Sequence, residues 1–182
     1  MSRIFAILLL ALGVEISLPV WALEFTADRI TTVDGRTGKD ALFYRDDMWR
    51  LEHHAGGPVT VSIVRKDKGI VWFLLSRVRH FKTVPYSGEQ DPMVTEKLEG
   101  EVSREEIGQE TREGRQTTLY EVTTKRGERT DVYYQWLATD IRFPMRLMKK
   151  DASWSVEYQH VKIRPLSDSL FQLPMYFTPL EE

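Results

Sequence analysis

Short strand-like segments separated by turn signals, spaced about ten residues apart, are the feature that most constrains the fold of this chain. Pairs such as Asp34-Gly35, Lys68-Gly69 and Glu113-Gly114 are typical of tight hairpin turns. The residues between the turns predict eleven strands: Glu24 to Val33, Lys39 to Arg45, Met48 to His54, Val59 to Arg65, Gly69 to Ser76, Arg79 to Val84, Glu105 to Arg112, Gln116 to Lys125, Thr130 to Ala138, Arg142 to Lys149 and Ser153 to Arg164. Because no helices separate most of them, we predict a mainly β, antiparallel meander: a barrel or a strongly curved sheet.

Two of these strands carry more specific information. From Ser153 to Gln159 every second residue is apolar, which predicts a strand with one buried face. The apolar positions then shift by one, to Val161, and this shift predicts a β-bulge near His160. The run from Ile70 to Leu75 is apolar at both parities, so we expect this strand to be covered on both faces.

One short helix is predicted between the strands. Asp91 is a suitable N-cap, Pro92 fits the first helical position and Gly100 fits the end. Val94 and Leu98 are four residues apart and therefore lie on one face of such a helix. We predict that it forms a lid or plug on the sheet.

Carboxylates crowd the stretch around this helix, from Pro85 to Glu106. They do not have the spacing of metal ligands. We therefore predict a solvated loop for these residues: Glu96, Glu99, Glu101, Glu105 and Glu106.

The N-terminus has the layout of a secretory signal peptide. Arg3 precedes an apolar run from Ile4 to Val14, and small residues follow up to Ala22. The run is about half the length that a membrane-spanning helix needs. We predict cleavage after Ala22 and a periplasmic mature domain of residues 23–182, with an uncleaved, membrane-tethered N-terminus as the alternative.

The cysteine count and the net charge limit how the domain can be stabilised and which partners it can bind. The chain has no cysteine, so we expect that it carries no lipid anchor and no disulfides. The hydrophobic core itself therefore has to stabilise the domain. The formal net charge of -2 does not favour nucleic acid as a partner. We expect a monomer without a cofactor.

The chain lacks the most specific sequence motifs of catalysis and metal binding. No serine lies in a Gly-x-Ser-x-Gly elbow, and neither a Walker loop nor His-Glu-x-x-His occurs. His53 and His54 are neighbours on a predicted strand, so they would point to opposite faces, and His80 and His160 stand alone. We therefore predict no metal site and no enzyme, with a hydrolase as an alternative.

Large, soft side chains stand on the predicted strands. Core packing explains them, but flexible methionines and broad aromatic faces also suit ligands of variable shape, such as acyl chains. They are the predicted lining of a hydrophobic cavity: Trp49, Trp72, Phe73, Trp136, Met145, Met148 and Trp154.

A series of short segments also follows a familiar order along the chain. They are Phe25-Thr26-Ala27-Asp28, Trp49-Arg50-Leu51-Glu52, Val61 to Gly69 leading into Trp72, Ile107-Gly108-Gln109-Glu110, Tyr120-Glu121-Val122, Trp136 with Asp140 and Pro144, and Phe171 to Tyr176. In this layout the chain resembles the LolA-like family of periplasmic outer-membrane lipoprotein-sorting proteins and their relatives. The resemblance implies an incomplete antiparallel barrel with a helical lid over a cavity, which in the carriers receives lipoprotein acyl chains.

The resemblance also implies roles for individual residues. Arg45 best matches an arginine that contacts the lid in the carriers, and Val94 and Leu98 would contact it from the lid. The carriers place a helix before the first strand, and the mature chain predicted here does not, so Arg45 is alternatively an ordinary hairpin residue.

Two functions are expected on these grounds. The first is a periplasmic binding protein that shelters a lipid or a lipoprotein acyl chain, in lipoprotein sorting or lipid transport. Its partners would be a lipid or lipidated protein and an envelope membrane protein. The alternative is an envelope sensor or protein-interaction domain that uses a sheet edge and binds no lipid.

Overall fold

The computed structural model describes residues 23–54, 56–87 and 95–180. The predicted signal peptide, residues 1–22, and the predicted helix positions Asp91, Pro92 and Val94 lie outside this range. No helix within these residues has the length and apolar character needed to cross a membrane.

Twelve strands make up one sheet. They are β1 (Glu24–Val33), β2 (Arg36–Arg45), β3 (Met48–His53), β4 (Val61–Arg65), β5 (Ile70–Leu75), β6 (His80–Pro85), β7 (Glu101–Arg112), β8 (Arg115–Arg126), β9 (Arg129–Ala138), β10 (Phe143–Lys149), β11 (Trp154–Ile163) and β12 (Thr178–Pro179). Their order in the sheet is β12-β6-β5-β4-β3-β2-β1-β11-β10-β9-β8-β7. All neighbours are antiparallel except β12, which pairs with β6 in parallel.

The sheet curls without closing. Its two ends, β7 and β12, do not pair with each other within the described residues. Val71 of β5 and Val122 of β8 nevertheless belong to one buried cluster, although their strands lie near opposite ends of the sheet. The predicted mainly β, antiparallel incomplete barrel is confirmed, with one more strand than the sequence predicted.

The described part of the predicted lid is not a helix. Residues 95–100 form bends and turns. The side-chain nitrogen of Gln135 donates to the carbonyl oxygen of Thr95 at 3.3 Å, and Arg104 Nη2 donates to that of Glu96 at 2.8 Å. These carbonyls are therefore bonded to the sheet instead of to helical N–H groups.

The loop predicted through Glu106 is too long. β7 begins at Glu101, four residues before the predicted start. Arg104 binds both carboxylate oxygens of Glu101 at 2.9 Å, and the Glu101 side chain is only 8% exposed. Its charge is paired within the fold, which is why the prediction of a solvated carboxylate was wrong here.

Two local predictions are confirmed. β11 has one extra residue between Gln159 and Lys162 relative to β1, and His160 at this bulge has a φ of 54°. On β5, both Val71 and Leu74 are 1% exposed. Both faces of β5 are thus covered, as predicted.

We call the face that carries Phe25, Leu51 and Val64 the inner face, and the opposite one the outer face. The outer face of β4 and β5, with Ile63 and Leu74, is covered by the C-terminal segment through Phe177. At one end of the inner face, aromatic rings fill the interior with centroid spacings of 4.7 to 6.5 Å: Phe25, Tyr44, Trp49, Phe143 and Tyr158.

Candidate functional site

A cavity of about 560 Å³ opens on the inner face beyond these aromatic rings. On β1, Phe25 and Ala27 are packed in the core, and the next inner positions, Arg29 and Thr31, line the cavity. Four apolar side chains from three neighbouring strands form its wall: Leu51, Val64, Val71 and Phe73. The cavity exists because the aromatic cluster ends before the strands do.

A chain of hydrogen bonds crosses one side of this cavity. Ser62 Oγ lies 2.7 Å from His53 Nε2, and His53 Nδ1 lies 3.2 Å from Asp40 Oδ1. The other oxygen of Asp40, Oδ2, accepts a bond of 2.8 Å from Arg29 Nη2. Strand pairing sets this order, because the four residues come from β1, β2, β3 and β4 and point to the same face.

The charge of Asp40 is well compensated. Burial alone would raise the pKa of this carboxyl, but the hydrogen bonds from His53 and Arg29 outweigh it and lower the pKa below its usual range. Asp40 is therefore an anion at neutral pH, and it orients the imidazole of His53.

Glycines leave room at the edge of the cavity. Gly38 on β2 and Gly57 in the β3–β4 loop both line it, and no heavy atom lies within 4 Å of the position that a Cβ would occupy at either glycine. A ligand can therefore approach the backbone closely at both places.

A second, more charged cavity of about 520 Å³ lies on the inner face of the C-terminal strands. Tyr133 and Trp154, whose rings meet edge to face at 6.4 Å, form part of its wall. Asp131 binds Lys149 at 3.0 Å and Arg129 at 2.7 Å there. These ion pairs make it less suited to an apolar ligand than the first cavity.

The predicted cavity-lining residues do not come together on one face. Phe73 lines the first cavity, Trp154 lines the second, and Trp49 is buried in the aromatic cluster beside the first. The others lie elsewhere: Trp72, Trp136 and Met148 on the outer face, and Met145 buried at an irregularity of β10. Whether any of them binds a ligand stays a prediction.

On the outer face, Trp136 is held by two arginines. The guanidinium carbons of Arg112 and Arg146 lie 4.5 and 5.1 Å from its ring centroid, and Met148 Sδ accepts a hydrogen bond from Arg146. These contacts give Trp136 and Met148 a packing role.

Arg45 contacts the C-terminal segment. It donates to the carbonyl oxygen of Leu166 and to Asp168 Oδ1, both at 2.6 Å, and it lies 5.0 Å from the ring centroid of Phe171. Leu98 is buried against the inner cluster. The predicted lid residues Arg45 and Leu98 thus have different neighbours, and Val94 lies outside the described residues.

Sequence reasoning missed the chain of Asp40, His53 and Ser62, although a signal for its first pair exists. The turn at Asp46-Asp47 places Asp40 opposite His53, which is the observed register. The pairing of β3 with β4 places Ser62 opposite Leu51, on the same face as His53, and the sequence of the loop between these strands does not predict that register. The three residues are not arranged as metal ligands, and no such group of His, Asp and Glu occurs among the residues that the structure describes.

The fold of this chain also occurs in known protein structures. Neither a protein-family model nor a curated protein matches the sequence. An uncharacterised conserved protein from Thermus thermophilus superimposes with a TM-score of 0.59, at 11% identity, over 87% of this chain and 90% of its own. MucB superimposes with a TM-score of 0.59, at 11% identity, over 85% of this chain.

The chain shares its fold with the Thermus thermophilus protein and with the matched part of MucB. At such identities the likeness concerns the fold alone. This chain spans 58% of MucB, and it also matches MucB in its complex with MucA(peri), with a TM-score of 0.50, at 13% identity, over 85% of this chain and 55% of that one.

Proposed function

We propose that this protein binds the acyl chain of a lipid or lipidated protein in the first inner cavity, in the bacterial envelope. The observation that carries the proposal is the cavity itself: about 560 Å³, with an apolar wall that includes Leu51, Val71 and Phe73. Its volume falls in the usual range for small-molecule sites, roughly 300 to 1,000 Å³. Each buried methylene contributes about 0.8 kcal/mol, so a long acyl chain binds without charged contacts.

The envelope location and a role in lipoprotein sorting or lipid transport belong to the same proposal. The signal-peptide layout of residues 1–22 supports export. The polar groups at one side of the cavity, Asp40, His53 and Ser62, offer hydrogen bonds to the polar end of an acyl ligand.

A matched pair of glycine variants tests this function. Gly38→Trp introduces a large side chain from β2 into the cavity, and no heavy atom lies within 4 Å of the position that its Cβ would take. Gly108→Trp introduces the same side chain on β7, away from the cavity, at a position where no heavy atom lies within 4 Å of an added Cβ. Titration with a fluorescent long-chain fatty acid should give saturable binding to the wild type and to the Gly108→Trp variant, and at least tenfold weaker binding to Gly38→Trp.

Thermal unfolding of all three proteins checks that the fold is intact. Equal affinities of the two glycine variants would exclude the first cavity as the site. If the wild type does not bind the fatty acid, and native mass spectrometry of protein purified from membranes finds only ligand-free chain, the proposal fails.

The second candidate function is a protein-interaction domain, favoured by the edge strand β7. Within the described residues β7 pairs only with β8, and it exposes Val102 and Ile107 to solvent. An extended segment of a partner can add to such an edge. Photo-crosslinking from position 107 in intact cells would capture a defined protein, whereas crosslinks from position 38 would favour the lipid.

A further inference from the structure

The hydrogen-bonded chain on the cavity wall has the order that activates a serine. If the proton of His53 resides on Nδ1, the ring donates to Asp40 at 3.2 Å and accepts from the Ser62 hydroxyl at 2.7 Å. In serine hydrolases the imidazole takes the hydroxyl proton while the carboxylate fixes its tautomer and stabilises the imidazolium.

The geometry points to an acyl-ester hydrolase site, in which Ser62 is the nucleophile, His53 is the general base and the neighbouring cavity takes the acyl chain of the ester. This inference rests on the proposed function for the placement of the acyl chain. No motif surrounds Ser62 in the sequence, so the strand register alone brings the three residues together.

The arrangement of Asp40 supports a positioning role. Arg29 binds its Oδ2 and leaves Oδ1 to His53, so the carboxylate is kept ionised without being taken away from the imidazole. Arg29, Asp40 and His53 are also the charged or titratable residues that line this cavity. A positive charge on His53 during the reaction is therefore balanced by an anion in direct contact.

The reaction balances without a cofactor. Ser62 Oγ forms a bond to the ester carbonyl carbon as its proton moves to His53 Nε2, and that proton then leaves with the departing alcohol as the ester C–O bond breaks. Water attacks the acyl-serine by the same route and releases the carboxylic acid. The backbone at Gly57 borders the cavity without a side chain in the way, and backbone N–H groups are common donors to the oxyanion.

A fluorophosphonate probe with an alkyl chain tests the site on the intact mature protein. An activated serine displaces fluoride and forms a stable phosphonyl ester, which peptide mass spectrometry assigns to one residue. We expect the adduct on Ser62 of the wild type, a loss of labelling in Ser62→Ala and at least a tenfold slower reaction in His53→Gln. Ser103→Ala, at an exposed position on β7, should react like the wild type.

The Asp40 variant separates catalysis from a structural network. Asp40→Asn should slow labelling of Ser62 even where circular dichroism shows an intact fold and fatty-acid binding is unchanged.

An adduct on another serine, or no adduct on the wild type, would overturn the inference. The wild-type result does not depend on whether any variant folds. Fatty-acid binding without labelling would leave the proposed function standing and remove the hydrolase. Labelling of Ser62 without fatty-acid binding would support the hydrolase site and contradict the proposed function.

Discussion

Arg45 Nη2 on β2 donates a hydrogen bond of 2.6 Å to the carbonyl oxygen of Leu166, although the two residues are 121 positions apart in the chain. Glu24 on β1 accepts from the N–H of Leu166 at the same distance. These two bonds fix the C-terminal segment to the hairpin of β1 and β2. Further along the same segment, Phe177 covers the outer face of β4 and β5.

Replacing Arg45 should loosen this segment. Arg45→Ala removes the bonds to Leu166 and Asp168 and leaves Glu24 without this cation, at a cost of about 2 kcal/mol in the free energy of unfolding. Denaturant unfolding and limited proteolysis after residue 164 measure the effect. Arg77→Ala, at an exposed turn, should change neither the free energy of unfolding nor the rate of proteolysis. Equal effects of the two variants on these quantities would contradict the anchoring role of Arg45.

Gly100 occupies a position that no other residue fits. Its φ is +72°, and a Cβ there would lie 2.7 Å from the backbone oxygen of Lys125. Gly127 has a φ of +61° with open space around it, so Gly127→Ala should cost only the backbone strain, about 1 kcal/mol. Gly100→Ala should lower the free energy of unfolding by at least about 1 kcal/mol more than Gly127→Ala. Equal losses would show that the clash is relieved cheaply.

Acid should weaken the link between Glu101 and Arg104. The hydrogen bonds from Arg104 lower the pKa of Glu101, so this pair stabilises the fold above the ordinary glutamate pKa and stops doing so as the pH falls through the lower pKa of the folded state. Glu101→Gln should therefore be less stable than the wild type at pH 7, and the difference should shrink below about pH 4. A difference that does not vary with pH would point to packing instead of charge.

Trp136 should matter for stability and not for ligand affinity. It packs beneath Arg112 and Arg146 on the outer face, and Gln135, its neighbour in β9, faces inward. Trp136→Phe should lower the free energy of unfolding by about 1 kcal/mol while fatty-acid affinity stays within twofold of the wild type. A large loss of affinity in a variant with an intact fold would indicate that the ligand binds on the outer face, and would contradict this account.

The sequence predicted the strands well because turn residues mark most hairpin ends. Even the bulge at His160 followed from a shift in apolar parity, since such a shift has few other causes in a strand. The start of β7 escaped prediction because the carboxylate of Glu101 has the same local sequence signal whether it is solvated or paired. Only Arg104, brought beside it by the fold, decides between the two.

The site was less predictable than the fold. Large aromatic residues such as Trp72 and Trp136 were expected in the cavity, but which face a strand residue takes depends on what covers the other face. For Trp72 that cover is the C-terminal segment with Leu173 and Phe177, which shows no strand or helix periodicity. The polar residues at the cavity come together only through the registers of the paired strands, which residue type alone does not determine.

Quenching by brominated fatty acids tests most directly where the acyl chain lies. Trp49 pairs with Val64, a cavity residue, whereas Trp136 is on the opposite face. In variants of the mature chain that retain one tryptophan each, the brominated ligand should quench Trp49 saturably and leave Trp136 unchanged. Equal quenching of both, or quenching of Trp136 alone, would contradict a ligand site on the inner face.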